Sequence, residues 1–311
     1  MSTTVPARAS HPSATGAGGG RILGVFTPIG LAMTAAIAVS FLAFYSRWFL
    51  RQHEFSFKYL DDWGHAYFIP AISLYMLWRR KGELAAARPS VFWNGLPVFL
   101  LGMVCYVFFI VGVPNHMLQG FALILSLFGL VLLLAGPGVM RVAFLPIAFL
   151  GFAVTISEQW MTELTFPLKL IASQGAWMVL TIIGPIAGYS IDVVGNLLTI
   201  VETDGTSHTL DVAEACSGLR MVVAFFALAG AVALLSAERW WQRVALLVLA
   251  LPVALIINVV RVAVLGLATL VNPDLATGQA HTLIGTLLLL PGLMLFMLVR
   301  WSLSRLVAED A

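Results

Sequence analysis

Residues 242–270 read QRVALLVLALPVALIINVVRVAVLGLATL. The run holds two arginines, Arg243 at its start and Arg261 in its second half, and no acid. A helix that crosses a bilayer needs about 20 mostly apolar residues, so this run reads as a transmembrane helix. Seven more stretches qualify on the same ground: 22–46, 63–78, 91–113, 117–136, 139–157, 218–237 and 280–300. The whole chain of 311 residues is 60% hydrophobic and 10% charged, with a mean hydropathy of +0.96. An ordinary soluble domain carries about 25% charged residues, so a soluble enzyme is excluded. A disordered chain needs low hydrophobicity and is excluded as well. The net charge of +2 leaves no basic face for nucleic acid. Two cysteines make no disulfide framework. The expected fold is an all-α polytopic membrane protein of about eight transmembrane helices.

Residues 1–20 are rich in Ser, Thr, Ala, Pro and Gly and read as a flexible cytoplasmic tail. Residues 21–311 read as a single transmembrane domain. Its apolar run after Arg21 reads as a retained helix, because a secretory signal places its apolar stretch closer to the start. Lys and Arg collect on the cytoplasmic side. With the N-terminus inside, 11 of the 17 basic residues fall there, among them Arg79-Arg80-Lys81 against the end of a span. Both termini are then cytoplasmic. Residues 170–187 are apolar enough to span, which would move Arg239, Arg243, Arg300 and Arg305 outside. Residues 159–185 therefore read as an interfacial or re-entrant helix. Between 186 and 215 short extended runs alternate with turn signals at Val194-Gly195-Asn196-Leu197 and Asp204-Gly205. They predict a small antiparallel sheet on the outer face, within an extracytoplasmic insertion over 158–215 that precedes the sixth span.

None of the 15 acids falls within an expected span. Ion-coupled transporters place a carboxylate at mid-membrane, so that class is disfavoured. Three outer-face features carry chemistry instead. The first is Glu214-Ala215-Cys216-Ser217-Gly218-Leu219-Arg220, where the sixth span begins. A helix N-terminus and a nearby cation favour the thiolate of Cys216, the nucleophilic form. The second is Asn258-Val259-Val260-Arg261, whose polar pair shares one helix face. Arg261, set among aliphatic residues, either snorkels to the outer headgroups or holds a partner such as an oxyanion. Asn258 fits a packing hydrogen bond or a supporting role. The third is His281, opening the eighth span, a candidate base and acid for a thiol nucleophile.

Arg220 is a further oxyanion candidate, and Glu214 either pairs with Arg220 or meets substrate. His65 is expected in the outer site region. His208 reads as a solvated hairpin residue and His116 as a loop residue with no visible partner. The histidines show no H-E-x-x-H and no paired cysteines, so no metal or other cofactor is expected. Cys105 lies mid-span in apolar company and is expected to be inert. The tryptophans Trp48, Trp63, Trp78, Trp93, Trp160, Trp240, Trp241 and Trp301 lie near span ends as interface anchors.

With Ala215-Cys216-Ser217-Gly218, Asn258-x-x-Arg261 and His281 followed by Gly285, the chain resembles the exosortase/archaeosortase family. Trp63-Gly64-His65-Ala66-Tyr67 and Leu77-Trp78-Arg79-Arg80 extend the resemblance toward residue 60. It departs at Ala280, where the family often has an aromatic, and at Gly64-His65, where the order is commonly reversed. The resemblance implies a membrane cysteine protease or transpeptidase of the bacterial inner membrane, acting on the extracytoplasmic face. Its implied partners are membrane-anchored proteins with a C-terminal sorting signal. That signal is a short motif (Pro-Glu-Pro in the commonest bacterial kind), a transmembrane helix and a basic tail. Cys216 would attack, Arg261 would hold the oxyanion and His281 would protonate the leaving amine. Many such systems accompany exopolysaccharide production. The alternative reading is a non-enzymatic permease or assembly factor for surface polysaccharide.

Overall fold

The structure, a computed structural model, describes residues 28–212, 218–236, 239–276 and 278–308. The described residues up to Arg47 and those from Trp48 onward fall into separate units. The first contains α1 (Pro28–Phe44), and the second begins within α2 (Ser46–Lys58). Then come α3 (Leu60–Trp63), a 3-10 turn (Gly64–Tyr67), α4 (Phe68–Arg79), α5 (Lys81–Ala86), α6 (Gly95–Val111) and α7 (His116–Phe149). A 3-10 turn (Leu150–Ala153) leads to α8 (Glu158–Ala187), β1 (Tyr189–Val194), β2 (Leu197–Glu202) and β3 (Ser207–Asp211). The chain ends in α9 (Gly218–Ser236), α10 (Trp240–Val271), a 3-10 turn (Pro273–Ala276), α11 (Gly278–Leu287) and α12 (Leu289–Ala308).

Among the described residues four helices are long and apolar enough to cross a membrane: His116–Ala153, Phe166–Ala187, Trp240–Val271 and Leu283–Arg305. A fifth is reached if Ile29–Phe44 and Ser46–Lys58 count as one. The expected eight therefore shrink on length. The 3-10 turn at Gly64–Tyr67 leaves α4 only 12 residues, and α6 has 17. The eighth stretch carries a break between α11 and α12, yet Leu283–Arg305 still has the length of a span. α7 is a hairpin of two arms. Gly136 takes φ 77°, ψ 177° just before Pro137, a backbone that only glycine adopts readily. The Phe128 and Phe144 rings then meet at 5.9 Å, whereas on a straight helix they would be about 24 Å apart. The arms, 116–135 and 137–149, coincide with the break between the expected fourth and fifth spans.

α6 crosses the first arm of α7 at three glycines. A Cβ on Gly95 would overlap the backbone of Leu133, one on Gly102 would overlap Ser126, and one on Gly129 would overlap the backbone of Phe99. Small residues let apolar helices approach backbone to backbone, where dispersion replaces a hydrophobic driving force. Gly129→Ala is expected to cost about 3 kcal/mol or more, the upper range of overpacking, because no flexible side chain can yield. Gly82→Ala, where nothing lies within 4 Å, is the control. Thermal melting of the detergent-solubilised protein checks the difference.

The sheet is antiparallel with order β1-β2-β3. Its turns use Gly195 (φ 65°) and Gly205 (φ 89°), at the two positions where turns were expected. Alternation directs Leu198, Ile200 and Leu210 inward. They form one buried cluster with Ala172, Ala176 and Leu180 of α8 and with Val262, Ala263 and Leu265 of α10. Ser190, Asp192, Thr199, Ser207 and Thr209 take the other face. β1 lies along the second half of α8. Ser173 Oγ donates to the Gly195 carbonyl at 2.9 Å at one end, and Gly184 abuts Tyr189 at the other.

α8 corrects part of the expectation for 159–185. It is one continuous helix through Pro167, with no re-entrant break, and 166–187 has the length and hydropathy of a span. Two tryptophans also differ from the interface role. Trp48 and Trp63 are buried, while Trp78, Trp93, Trp160, Trp240 and Trp301 are exposed.

α9 and α10 form an antiparallel hairpin. Phe225, Ala229 and Ala233 pack with Leu246, Ala250, Val253 and Phe296. α4 runs beside α9 in the same direction. Ile69 and Met76 cluster with Ala227 and Ala231, and Arg79 Nη1 donates to the Leu235 carbonyl at 2.7 Å. Arg80 Nη1 donates to the Val142 carbonyl at 3.1 Å. Arg79, Arg80, Lys81, Arg141, Arg239 and Arg243 thus gather at one end of the helices. The sheet packs at the other end of α10.

Candidate active site

Arg261 is 3% exposed and Asn258 is 6% exposed. Both lie on the buried face of α10, as their spacing predicts. Burial answers the alternative left by the sequence: Arg261 does not reach out to headgroups. Its guanidinium lies against the backbone of α11. An ideal Cβ on Gly285 would stand 2.9 Å from Arg261 Cζ and Nη2, and 3.0 Å from Nε. Only glycine leaves room for that approach. His281 is one turn earlier in α11, so Gly285 ties the Arg261 side chain to the helix of His281. One turn further along α10, Gly266 abuts Leu180 and Ile200. Arg261 therefore sits where the helical bundle meets the sheet.

α9 approaches the same level. An ideal Cβ on Gly230 would stand 3.8 Å from Leu247 Cδ2. Carried outward from that contact, the equal rise of two antiparallel helices brings Arg261 within about one turn of the level of Gly218. Cys216 and Glu214 lie outside the described residues, just before Gly218 in sequence. The side chains of Arg220 and His281 are likewise outside them, although their helices are described. His65 is half-buried beside Trp63, ring centroids 5.7 Å apart. α3 packs against α9, so the 60–67 segment lies toward the start of α9.

Two histidines are placed differently from expectation. His116 is not an isolated loop residue. Its ring stacks on Trp48 at 5.2 Å, its Nε2 meets Gln52 Oε1 at 3.0 Å, and its carbonyl accepts from Trp48 Nε1 at 3.0 Å. Thr155 Oγ1 donates to the same Gln52 oxygen at 3.3 Å. This cluster ties α2 to the start of α7 and is structural. His208 is not a solvated loop residue: it is half-buried in β3, with Nε2 2.9 Å from Glu202 Oε1. Cys105 is half-exposed on α6. Among the described residues no group of three His, Cys, Asp or Glu could hold a metal.

At the basic end, Glu83 is bidentate to Arg80, at 2.6 and 3.1 Å. The Arg80 hydrogen bond holds its carboxyl below the usual range, and the charge of Arg243 adds to this. Glu83 is thus already neutralised locally. The role of Gly285 was not legible in sequence, since glycine in an apolar run has no single reading; only its spacing from His281 marked it.

A family model for transmembrane exosortases matches residues 57–298, about three-quarters of the chain. The chain belongs to the transmembrane exosortase family. Searches of curated proteins and of solved structures return no match. The matched region of this exosortase runs from α2 to α12, and so includes the sheet, Arg261 and Gly285.

Proposed function

We propose that this exosortase is a membrane cysteine transpeptidase or protease that cleaves C-terminal sorting signals through a thioester on Cys216. The observation that carries this reading is the seat of Arg261. A buried guanidinium lies against the helix of His281, level with the start of α9, and Cys216 precedes that start by two residues, a reach of at most about 7 Å. A guanidinium held in a water-poor site is worth far more to a developing oxyanion than one in water. The Cys216 thiolate attacks the scissile carbonyl, and Arg261 stabilises the tetrahedral oxyanion. Collapse expels the amine, which takes a proton from His281, and leaves the acyl group on sulfur. A second nucleophile, water or an acceptor amine, gives its proton to His281 and releases the product. Asn258, Arg220, Glu214 and His65 are supporting or substrate-binding candidates.

The sheet supports an active site at the extracytoplasmic surface. Open-edged sheet is not found in lipid hydrocarbon, because its edge groups go unsatisfied. This sheet runs the length of 173–187, and its outer face sets Ser190, Asp192, Thr199, Ser207 and Thr209 beside Val194, Leu197 and Val201. The second half of α8 and α10 beyond Val262 then stand outside the hydrocarbon. The exposed stripe of Ile171, Met178, Ile182 and Ile186 rests at the interface. Arg261 thus lies where its helix leaves the lipid, not deep within it. The cationic collar at the far end faces the cytoplasm by the positive-inside rule.

The test uses a reporter ending in Pro-Glu-Pro, an apolar helix and an Arg-rich tail, co-expressed with the exosortase. The expected result is a shortened reporter and a covalent exosortase–reporter adduct released by hydroxylamine, which cleaves thioesters. A reporter left intact, with no adduct, refutes the reading. Impermeant maleimide on intact cells, in a Cys105→Ala background, is expected to label Cys216.

A further inference from the structure

The cationic collar joins three separate segments of the chain. The corner between α4 and α5, Arg79-Arg80-Lys81, links its two flanks. Arg79 Nη1 donates to the Leu235 carbonyl at 2.7 Å, at the end of α9 and four residues before Arg239. Arg80 Nη1 donates to the Val142 carbonyl, next to Arg141. Arg243 stands near enough for its charge to lower the Glu83 carboxyl. Glu83 is the one acid of this end among the described residues, and Arg80 binds both its oxygens. Even counted together with Glu238, Glu309 and Asp310, which lie outside the described residues, it leaves the six cations in excess.

Arg79, Lys81, Arg141 and Arg239 are exposed. Arg79 is pinned through one nitrogen, and a guanidinium carries further N–H donors. Holding the group in advance lowers the entropy cost of binding an anion. The neighbouring rings fix the depth of these cations. Trp78 and Trp240, next in sequence to Arg79 and Arg239, are 59% and 76% exposed. Trp78 stacks on Tyr75 with centroids 5.8 Å apart, and Lys81 Nζ stands 5.1 Å over the Trp78 ring. Tyr75, Trp78 and Lys81 thus form one stripe that passes from aromatic to cation. Tryptophan and tyrosine rings settle at the headgroup level of a bilayer. The cations beside them then lie in the layer of lipid phosphates.

We propose that this collar binds the headgroups of anionic phospholipids, with Arg79, Lys81 and Arg239 on the phosphate and Trp78 and Trp240 along the glycerol and upper acyl chains. Guanidinium meets phosphate through parallel hydrogen bonds, and ammonium meets it as a point charge. Clusters of basic residues at a membrane surface draw anionic lipid, and each cation near the surface contributes about fivefold in affinity. A zwitterionic headgroup offers the same phosphate but brings its own cation, which the collar repels.

The test follows thermal melting of the full-length protein in a neutral detergent during titration with phosphatidylglycerol, phosphatidylcholine or inorganic phosphate. A ligand that binds the folded protein alone raises the melting temperature in step with its affinity, so each titration yields a Kd. Phosphatidylglycerol is expected to raise it, and the other two are expected not to at equal concentration. Lys81→Gln and Arg239→Gln are each expected to weaken phosphatidylglycerol binding about fivefold. Melting in detergent alone should stay the same, because both side chains are exposed. Lys58→Gln, an exposed cation of α2, the helix tied to the start of α7, is expected to leave the affinity unchanged. Equal shifts with the two lipids overturn the proposal. So do affinities unmoved in both collar variants, or weakened as much by Lys58→Gln. An equal shift with inorganic phosphate overturns the lipid as the ligand. Should one collar variant not fold, the other and the wild-type titrations decide.

Discussion

Cys216→Ala and Cys216→Ser are each expected to lower reporter cleavage by at least about a thousandfold, the scale of losing a covalent nucleophile. Both proteins should still insert and melt like wild type. β3 is held by its ladder to β2, and α9 by Phe225, Ala229 and Ala233 against α10. Neither set of contacts involves the thiol. Serine is not a partial substitute. Its hydroxyl stays protonated at neutral pH, whereas a helix N-terminus and a neighbouring guanidinium bring a thiol toward thiolate. The adduct released by hydroxylamine should vanish in both variants. Near-normal cleavage by Cys216→Ser would remove the thioester mechanism and leave the permease or assembly-factor reading.

The second large effect belongs to Arg261 and Gly285 together. Arg261→Ala is expected to reduce kcat about 10²–10³-fold, the cost of one oxyanion donor. Arg261→Lys keeps the charge but loses the planar fork, and should recover only part of that. Gly285→Ala places a methyl 2.9 Å from the guanidinium carbon. The guanidinium is the far end of a flexible chain, so the fold survives and the charge moves instead. A misplacement near 1 Å can cost about a hundredfold in rate, and kcat should fall on that order. Added to Arg261→Ala, Gly285→Ala should do nothing more, because the group it displaces is gone. Gly292→Ala, whose Cβ would meet Ile257 at 3.1 Å and Phe225 at 3.4 Å, is the packing control. It should shift thermal stability and spare kcat. Equal losses at Gly285 and Gly292, or additive losses at Gly285 and Arg261, would mean that Gly285 serves packing alone.

Much of this protein was legible in the chain itself. Helical membrane character follows from composition. The hairpin at Gly136-Pro137 and the turns at Gly195 and Gly205 follow from residues whose backbone preferences act locally. Arg261 stood out because a charge among Val259, Val260, Val262 and Ala263 needs a reason. The expectations that changed share one cause. Residues 170–187 read alike as span or surface helix, since hydropathy counts only the helix and not the sheet beside it. His116 read as solitary because Gln52 and Trp48 are more than 60 positions away. α4 and α6 read as longer spans because an apolar run does not show where a 3-10 turn or a helix cap ends the regular helix.

The sequence by itself determined the membrane class, the small antiparallel sheet and the presence of an arginine within an apolar helix, because hydropathy, turn geometry and charge are carried by neighbouring residues. Tertiary structure alone decided that Gly285 makes room for the Arg261 guanidinium, that a three-stranded sheet covers the second half of α8, and that β3 packs against α10. Each of these is a contact between distant segments. Its energy comes from shape and satisfied backbone groups that exist only once the helices have packed.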